Sequence, residues 1–280
     1  PDRDGWRSIE RLCYVALFPA LIILVLSRAP FDEAPWKIAL TLFIAQILMA
    51  GTGLLALLWP NVSRPAVGSI IQSNSRWNTF IALTISGVLY AEEGLALTAL
   101  CAAILIPMAN ILSVLALSHF GETETGVKRN PFTELIRNPL VIACIIGAAL
   151  NVTGLQPTGI LNTILELVSE PAMALGLLAA GAGVNFIALR RAGLFTVFWS
   201  LVRLIGMPVL TILIARHGFG LEGVPLAVMA IATATPTATN GFILARQLGG
   251  DADLMANLIA TETVLAALTM PAILIAFGLL

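Results

Sequence analysis

The chain has 280 residues, of which 58% are hydrophobic and only 11% are charged, and its mean hydropathy is +0.94. A soluble domain carries about 25% charged residues, so this composition leaves little room for a soluble domain and predicts an all-α integral membrane protein. The net charge of −1 says nothing about partners. Cys13, Cys101 and Cys144 lie in apolar segments without metal-ligand spacing, and we expect them to be small core residues.

Nine segments are long and apolar enough to be membrane helices, for which about 20 residues are needed. Short polar turns separate them, and the longest polar connection, 119–136, lies near the middle of the chain. No secretory signal pattern is visible at Pro1. The predicted segments are 9–28, 36–59, 68–90, 94–118, 137–152, 160–189, 194–215, 222–246 and 252–279.

The distribution of Lys and Arg predicts the orientation, because cytoplasmic loops carry an excess of both. With Pro1 inside, ten fall on one side and three on the other, while Arg76 and Arg203 lie within spans. This bias places Pro1 in the cytoplasm and Leu280 outside, in a cell membrane such as the bacterial inner membrane. The ten are Arg3, Arg7, Arg11, Arg64, Lys128, Arg129, Arg137, Arg190, Arg191 and Arg246. The three are Arg28, Lys37 and Arg216.

Four landmarks recur in the same order in the two halves of the chain, which suggests an internal repeat. The motif Asn-x-Phe-Ile occurs at 78–81 and again at 240–243, and prolines occur at corresponding places upstream and downstream. The proline pairs are Pro19 with Pro171 and Pro107 with Pro271.

The repeat predicts that one helix of the first half is absent, because segment 137–152 has no counterpart before Pro19. The parent plan would then be five plus five helices. An odd number per half gives inverted orientation, a common plan in secondary transporters. The predicted units are a first repeat at 1–118, a cytoplasmic connection at 119–136 and a second repeat at 137–280.

Two polar stretches, "QSNSRWNTFIAL" at 72–83 and "TATPTATNG" at 233–241, interrupt predicted spans. Irregular backbone within a membrane is tolerated only where protein or water covers it, so we expect both stretches to be covered crossings. Pro236 breaks the second helix because it lacks an N–H and clashes with the preceding turn, and Gly241 adds flexibility.

A new half-helix would begin after each break, and its N-terminus favours an anion. Arg76 could hold a carboxylate by two parallel hydrogen bonds. The sequence therefore predicts a carboxylate site at the two breaks. Its candidate residues are Arg76, Asn78, Thr79, Thr237, Thr239 and Asn240.

Other roles for these residues stay open. Arg76 could instead neutralise the C-terminal ends of half-helices, or it could extend to the membrane interface. Asn78 and Asn240 could cap helices rather than contact a substrate.

Two further charges, Arg203 and Glu262, fall at similar depth within predicted spans. Intramembrane charges are usually paired or functional, so we expect an Arg203–Glu262 ion pair. The pair would be structural, or Glu262 would accept a proton or cation linked to transport.

Several motifs together resemble the auxin efflux carrier family, which includes plant PIN-type carriers and bacterial permeases assigned to malonate or malate. They are "SRWNTF", "NPLVIACIIGAALNVTGLQP", "EPAMALGLLAAGAGV" and "ATPTATNGFILARQLGGDADLMANLIATETVLAALTMP". The PIN-type motif Asn-Pro-Asn-Thr-Tyr corresponds to residues 76–80. Asn78 and Thr79 match, Phe80 replaces the tyrosine and the proline is absent, which bears on auxin as substrate and not on the architecture.

The resemblance implies ten helices arranged in two domains. The first two helices of each half would form a scaffold, here 9–28 with 137–189. The last three would form a transport domain, here 36–118 with 194–280. The broken fourth and ninth helices, here 68–90 and 222–246, would cross near the membrane midplane.

These observations predict a secondary transporter, not an enzyme, that moves a small organic anion by alternating access, proton-linked or uncoupled. A sodium-coupled symporter of the bile-acid type and a channel or receptor with the same fold are alternatives. The sequence has no metalloprotease, nucleophile-elbow or nucleotide-binding motif. We expect no cofactor, no metal and no nucleic acid. The candidate partners are the organic anion, a proton or sodium ion, the lipid bilayer and a second copy of the chain.

Overall fold

The computed structural model describes residues 3–29, 35–122, 137–182 and 186–279, and these residues form helices without any strand. This confirms the all-α fold class. The helices are α1 (Arg3–Leu12), α2 (Phe18–Arg28), α3 (Pro35–Thr52), α4 (Arg64–Ser75), α5 (Thr79–Phe120), α6 (Pro139–Thr153), α7 (Gly159–Ser169), α8 (Ala172–Ala182), α9 (Phe186–Arg191), α10 (Leu194–Leu213), α11 (Gly223–Ala234), α12 (Asn240–Gln247) and α13 (Ala252–Ala276).

Short π-helical and 3₁₀-helical turns adjoin some of these helices. A π-helical turn at Cys13–Leu17 joins α1 to α2, and another at Ile214–Gly218 follows α10. A 3₁₀ turn at Gly53–Leu58 ends α3. All three predicted core cysteines are buried, which confirms that part of the sequence analysis.

Six helical stretches among the described residues are long and apolar enough to cross a membrane. One of them, Arg64–Phe120, has 57 residues and contains two of the nine predicted segments. Pro139–Thr153 and Gly223–Ala234 are apolar but shorter than the roughly 20 residues that a crossing needs. The chain is therefore a multi-pass membrane protein, and the number of nine spans stays a prediction.

The helix starts follow from capping residues in the sequence. Ser63, Asn138 and Asp251 each accept a hydrogen bond from a backbone N–H in the first turn of α4, α6 and α13, respectively. Such side chains satisfy amide groups that have no partner within the helix. Pro65 and Pro139 lie in the first turns of α4 and α6, where the missing N–H of a proline costs nothing.

The long helix α5 bends at Tyr90 and Ala91, where the backbone leaves helical geometry. Ala91 has φ of 48° and ψ of −134°, an unusual conformation for a residue with a side chain. The polar turn predicted between segments 68–90 and 94–118 lies at this bend.

The helices pack in two groups with α5 between them. In the first group, α2 packs on α6 and α7, and α1 packs on α8. In the second group, α10 packs on α11 and α13, and α3 packs on α4. Helix α5 contacts members of both groups, and the largest cluster of buried apolar side chains includes its residues from Ala82 to Ile106.

One close contact between the first group and α5 depends on Gly176 of α8. The rings of Phe18 and Phe80 stack with centroids 4.5 Å apart. A Cβ at Gly176 would lie 2.5 Å from the Phe18 ring, so this position has no room for a side chain. Gly181 on the same helix has open space around it.

We predict that Gly176→Ala lowers the thermal unfolding midpoint of the purified protein in detergent by several degrees. The extra methyl group would displace the stacked Phe18 ring, and overpacking of this kind costs about 1–3 kcal/mol. The matched control Gly181→Ala should leave the midpoint unchanged or raise it, because alanine favours a helix over glycine. Equal midpoints for the two variants would contradict the packing described for α8.

Candidate functional site at two helix breaks

Two helix breaks meet inside the second group of helices. Helix α4 ends at Ser75 and α5 begins at Thr79, while α11 ends at Ala234 and α12 begins at Asn240. The intervening residues, 76–78 and 235–239, leave helical backbone groups without partners in their own helices. Within a membrane those groups must be satisfied by protein or water.

Each break satisfies groups of the other. The N–H of Asn78 donates to the Thr235 hydroxyl at 3.1 Å, and the Thr237 hydroxyl donates to the Ser73 carbonyl at 2.8 Å. The Gln72 amide donates to the Gly241 carbonyl at 3.1 Å. The two breaks are therefore one hydrogen-bonded unit rather than two separate irregularities.

The predicted break residues differ in what they do. Pro236 lies within the non-helical stretch, as its chemistry predicts. Gly241 lies in the first turn of α12, and a Cβ there would collide with the Met255 side chain of α13. The role of Gly241 at the helix break stays a prediction, and its missing side chain leaves room for the end of the Met255 side chain.

Arg203 binds the C-terminal ends of both broken helices. Its Nε and Nη2 donate to the Arg76 carbonyl at 3.2 and 2.7 Å, and its Nη1 donates to the Thr233 carbonyl at 2.7 Å. The side chain is 1% exposed. A guanidinium group is well suited to this position, because the C-terminal end of a helix carries partial negative charge.

Glu262 binds the opposite side of the same crossing. Its Oε2 accepts a hydrogen bond from the Thr237 N–H at 2.8 Å, and its Oε1 accepts one from the Ser73 hydroxyl at 2.6 Å. The Glu262 side chain is fully buried. Its negative charge therefore stabilises a backbone amide that α11 and α12 leave without a helical partner.

The predicted Arg203–Glu262 ion pair is corrected by this geometry. Both residues are among those that the structure describes, yet no nitrogen of Arg203 lies within 4.0 Å of a Glu262 oxygen. Each charge is bound to helix-end groups instead. Their opposite signs still attract across the crossing, so the two residues compensate each other without direct contact.

Arg76 lies in the first break and is 6% exposed, so its side chain is buried within the protein. Its guanidinium group donates to the side-chain oxygens of Asn240 at 2.8 Å, Asn110 at 3.1 Å and Ser113 at 3.3 Å. Arg203 fills the role of neutralising the helix C-termini, which the sequence analysis had considered for Arg76.

The asparagine and threonine candidates occupy different positions. The Asn78 side chain caps α5 by accepting from the N–H groups of Phe80 and Ile81, so only its Nδ2 group remains for a ligand. The Asn240 oxygen binds Arg76. Thr237 is fully buried in the crossing and is not among the described residues that line the cavity described next, so its role as a substrate contact stays a prediction.

A cavity of about 1230 Å³ borders the crossing, between α1, α6 and α8 on one side and α5, α12 and α13 on the other. Arg76, Asn78, Thr79, Thr239 and Asn240 line it. The charged residues among the described lining are Arg11, Arg76, Arg246 and Glu10, so positive charge exceeds negative charge there.

Comparison with known proteins identifies the family. The family described as "Membrane transport protein" matches residues 125–274, more than half of the chain. The chain belongs to this family, the auxin efflux carrier family.

This transport protein is also 26% identical over 270 residues to an "Uncharacterized transporter" of Methanothermobacter thermautotrophicus. The alignment covers 94% of this chain and 86% of the relative. The family predicted from the sequence motifs is thereby confirmed, and membership supports transport rather than catalysis.

Several residues of the site were not singled out from the sequence. Ser73 and Gln72 lie in the quoted polar stretch but carry no motif, and Ser113 lies in a span without any distinguishing neighbour. Glu10 lies at the start of the predicted segment 9–28 and reaches the cavity because α1 packs on α8. Asn110 of α5 also joins the site, where its side-chain oxygen accepts a hydrogen bond from Arg76.

We predict that Arg203→Met destabilises this transport protein by at least about 3 kcal/mol. The change leaves the Arg76 and Thr233 carbonyl groups without donors and the buried Glu262 charge uncompensated. The measurement is the free energy of unfolding from titration with a denaturing detergent.

Arg216→Met is the matched control. Arg216 is only half-buried and donates one hydrogen bond, to the Phe277 carbonyl at 3.2 Å, so its loss should cost about 1 kcal/mol or less. If the two arginine variants lost the same stability, the assigned role of Arg203 at the crossing would be wrong.

Proposed function

We propose that the protein is a secondary transporter for a small organic anion, and that Arg76 binds a carboxylate group of this anion. The observation that carries the proposal is the position of Arg76, which lies at a helix break and lines the cavity beside the start of α12. A guanidinium fork matches the geometry of a carboxylate, which can accept two parallel hydrogen bonds.

The surroundings of Arg76 favour an anion in two further ways. Helices α5 and α12 both begin at the cavity, and the N-terminal ends of helices carry partial positive charge. Arg11 and Arg246 add positive charge to the described lining. An arriving carboxylate can replace the neutral Asn110 and Asn240 oxygens that Arg76 binds.

We further propose that the two helix groups move relative to each other. The cavity lies between them, and the first group corresponds to the predicted scaffold while the second corresponds to the predicted transport domain. Hydrogen bonds of the crossing join α4, α11, α12 and the start of α5, so alternating access would move it as a unit. This arrangement supports the inverted repeat, in which the breaks before α5 and α12 are equivalent.

Proton-linked or uncoupled transport is favoured over sodium coupling. Both oxygens of Glu262 already accept hydrogen bonds from Thr237 and Ser73, so this carboxylate is not open to a metal ion as it stands. A proton could bind it without any other ligand, and Glu262 with Arg203 would then link charge at the crossing to transport. The excess of Lys and Arg in the loops on one side of the predicted spans supports a cytoplasmic N-terminus in a cell membrane.

We predict that the purified protein in liposomes shows saturable counterflow of at least one carboxylate among malonate, malate, short monocarboxylates and indole-3-acetate. Arg76→Gln should weaken the apparent affinity about 10- to 100-fold, since hydrogen bonds to a charged group are lost. The variant should remain folded, as measured by its thermal unfolding.

Arg64→Gln is the control, because Arg64 is exposed, begins the same helix α4 and lies outside the cavity lining. It should retain wild-type affinity. Unchanged affinity in Arg76→Gln would contradict the carboxylate site. A channel would be indicated if uptake did not saturate and was not stimulated by the same carboxylate on the opposite side of the membrane.

A further inference from the structure

The cavity contains a carboxylate of the chain itself, which the proposed function leaves unused. Glu10 of α1 lines the cavity, and its Oε1 accepts a hydrogen bond from the Thr239 hydroxyl at 2.6 Å. Thr239 immediately precedes α12. A negative side chain therefore lies at the helix end that would otherwise favour an anionic ligand.

Within the described part of the chain, one of the two Glu10 oxygens has a hydrogen-bond partner. Among the residues that the structure describes, Oε2 accepts no hydrogen bond. Glu10 is half-buried, and a carboxylate held away from bulk water is stabilised when its remaining acceptor sites are filled. The cavity thus presents one charged acceptor oxygen that a ligand can use.

The position of this acceptor relative to Arg76 limits the ligand. Glu10 binds Thr239 and Arg76 binds Asn240, and these two residues are consecutive in the chain. The negative and the positive side chain therefore flank the same first turn of α12. A small ligand whose carboxylate contacts Arg76 would therefore bind at the same helix turn that Glu10 contacts.

We propose that Glu10 is a specificity-determining residue that accepts a hydrogen bond from a donor next to the ligand's carboxylate. The ligand class is then a carboxylic acid with a hydroxyl or ammonium group on the adjacent carbon. This inference rests on the carboxylate site of the proposed function and adds a requirement to it.

The requirement has a physical basis both for ligands that carry the donor and for analogues that lack it. A ligand with the donor satisfies Glu10, whereas an analogue without it leaves a carboxylate facing a carboxylate with no hydrogen between them. Sites built to hydrogen-bond a polar group reject analogues that lack it, because their own polar groups are then left unpaired.

The test uses two matched series of acids that differ only at the adjacent carbon. The three-carbon series is propionate, lactate and alanine, and the four-carbon series is succinate, malate and aspartate. Apparent dissociation constants come from the dependence of the unfolding temperature of the purified full chain on ligand concentration. The hydroxyl and ammonium members separate the two donor types.

Three variants complete the design. Glu10→Ala removes the acceptor, and Glu10→Gln keeps the shape and a neutral acceptor while removing the charge. Glu92→Ala is the control, because Glu92 is exposed at the bend of α5 and lies outside the cavity lining. Unfolding temperatures without ligand show whether each variant is folded.

In the wild type and in Glu92→Ala, a donor-bearing acid should bind at least about tenfold more tightly than the unsubstituted acid of its series. Glu10→Ala should reduce this ratio to near one while retaining or improving binding of the unsubstituted acid. Glu10→Gln should give an intermediate ratio.

Two results would overturn the inference and leave the carboxylate site intact. One is equal binding of all members of a series to the wild type. The other is an unchanged ratio in Glu10→Ala. If malonate or indole-3-acetate bound and none of the six acids did, only the inference about Glu10 would fail. If malonate and indole-3-acetate did not bind either, the carboxylate site of the proposed function would itself be contradicted.

Discussion

The structure depends on how backbone groups are satisfied where two membrane helices stop. Arg203 donates to the carbonyl groups that end α4 and α11, and Glu262 accepts from the amide of Thr237 in the second break. The positive charge of Arg203 thus lies at the negative helix ends. The negative charge of Glu262 lies at a buried backbone amide that has no partner within a helix. Without these two side chains, the polar backbone of the crossing would be unpaired in an apolar environment, at a cost of several kcal/mol for each group.

This division of charge determines what the neighbouring side chains can do. Because Arg203 binds the helix ends, the guanidinium of Arg76 is not needed there. It lies on the cavity, where its partners include the neutral side-chain oxygen of Asn240. The cavity is bounded on its other side by α1, α6 and α8. A ligand there would contact both groups of helices at once, which is the position that an alternating-access transporter requires of its substrate.

Composition and local sequence predicted the membrane class, both helix breaks and five polar residues that line the cavity, namely Arg76, Asn78, Thr79, Thr239 and Asn240. These features are encoded locally, since Pro236 disrupts a helix wherever it stands and Arg76 is conspicuous in an apolar span. The partners of the buried charges were not predicted correctly. Arg203 and Glu262 were paired with each other because they have similar depth, whereas their actual partners are backbone groups fixed by the crossing of helices distant in sequence.

The contact of Glu10 is a second feature that the local sequence did not predict. Nothing in the first residues of the chain indicates that α1 reaches α12, and the contact arises from the packing of α1 on α8. Long-range contacts of this kind follow from the three-dimensional arrangement of whole helices and have no local sequence pattern. The breaks could therefore be located from sequence, while the electrostatic design of the cavity required the structure.

The central claim is that a crossing fixed by Arg203 and Glu262 presents Arg76 to a carboxylate. The most direct test is an experimental structure of the full chain with its tightest-binding carboxylic acid. The account predicts ligand density with the carboxylate in hydrogen-bond contact with the Arg76 guanidinium, beside the first turn of α12, and with the Arg203 bonds to the helix ends retained. Ligand density away from Arg76, or a crossing in which Arg203 has left the helix ends, would contradict the account.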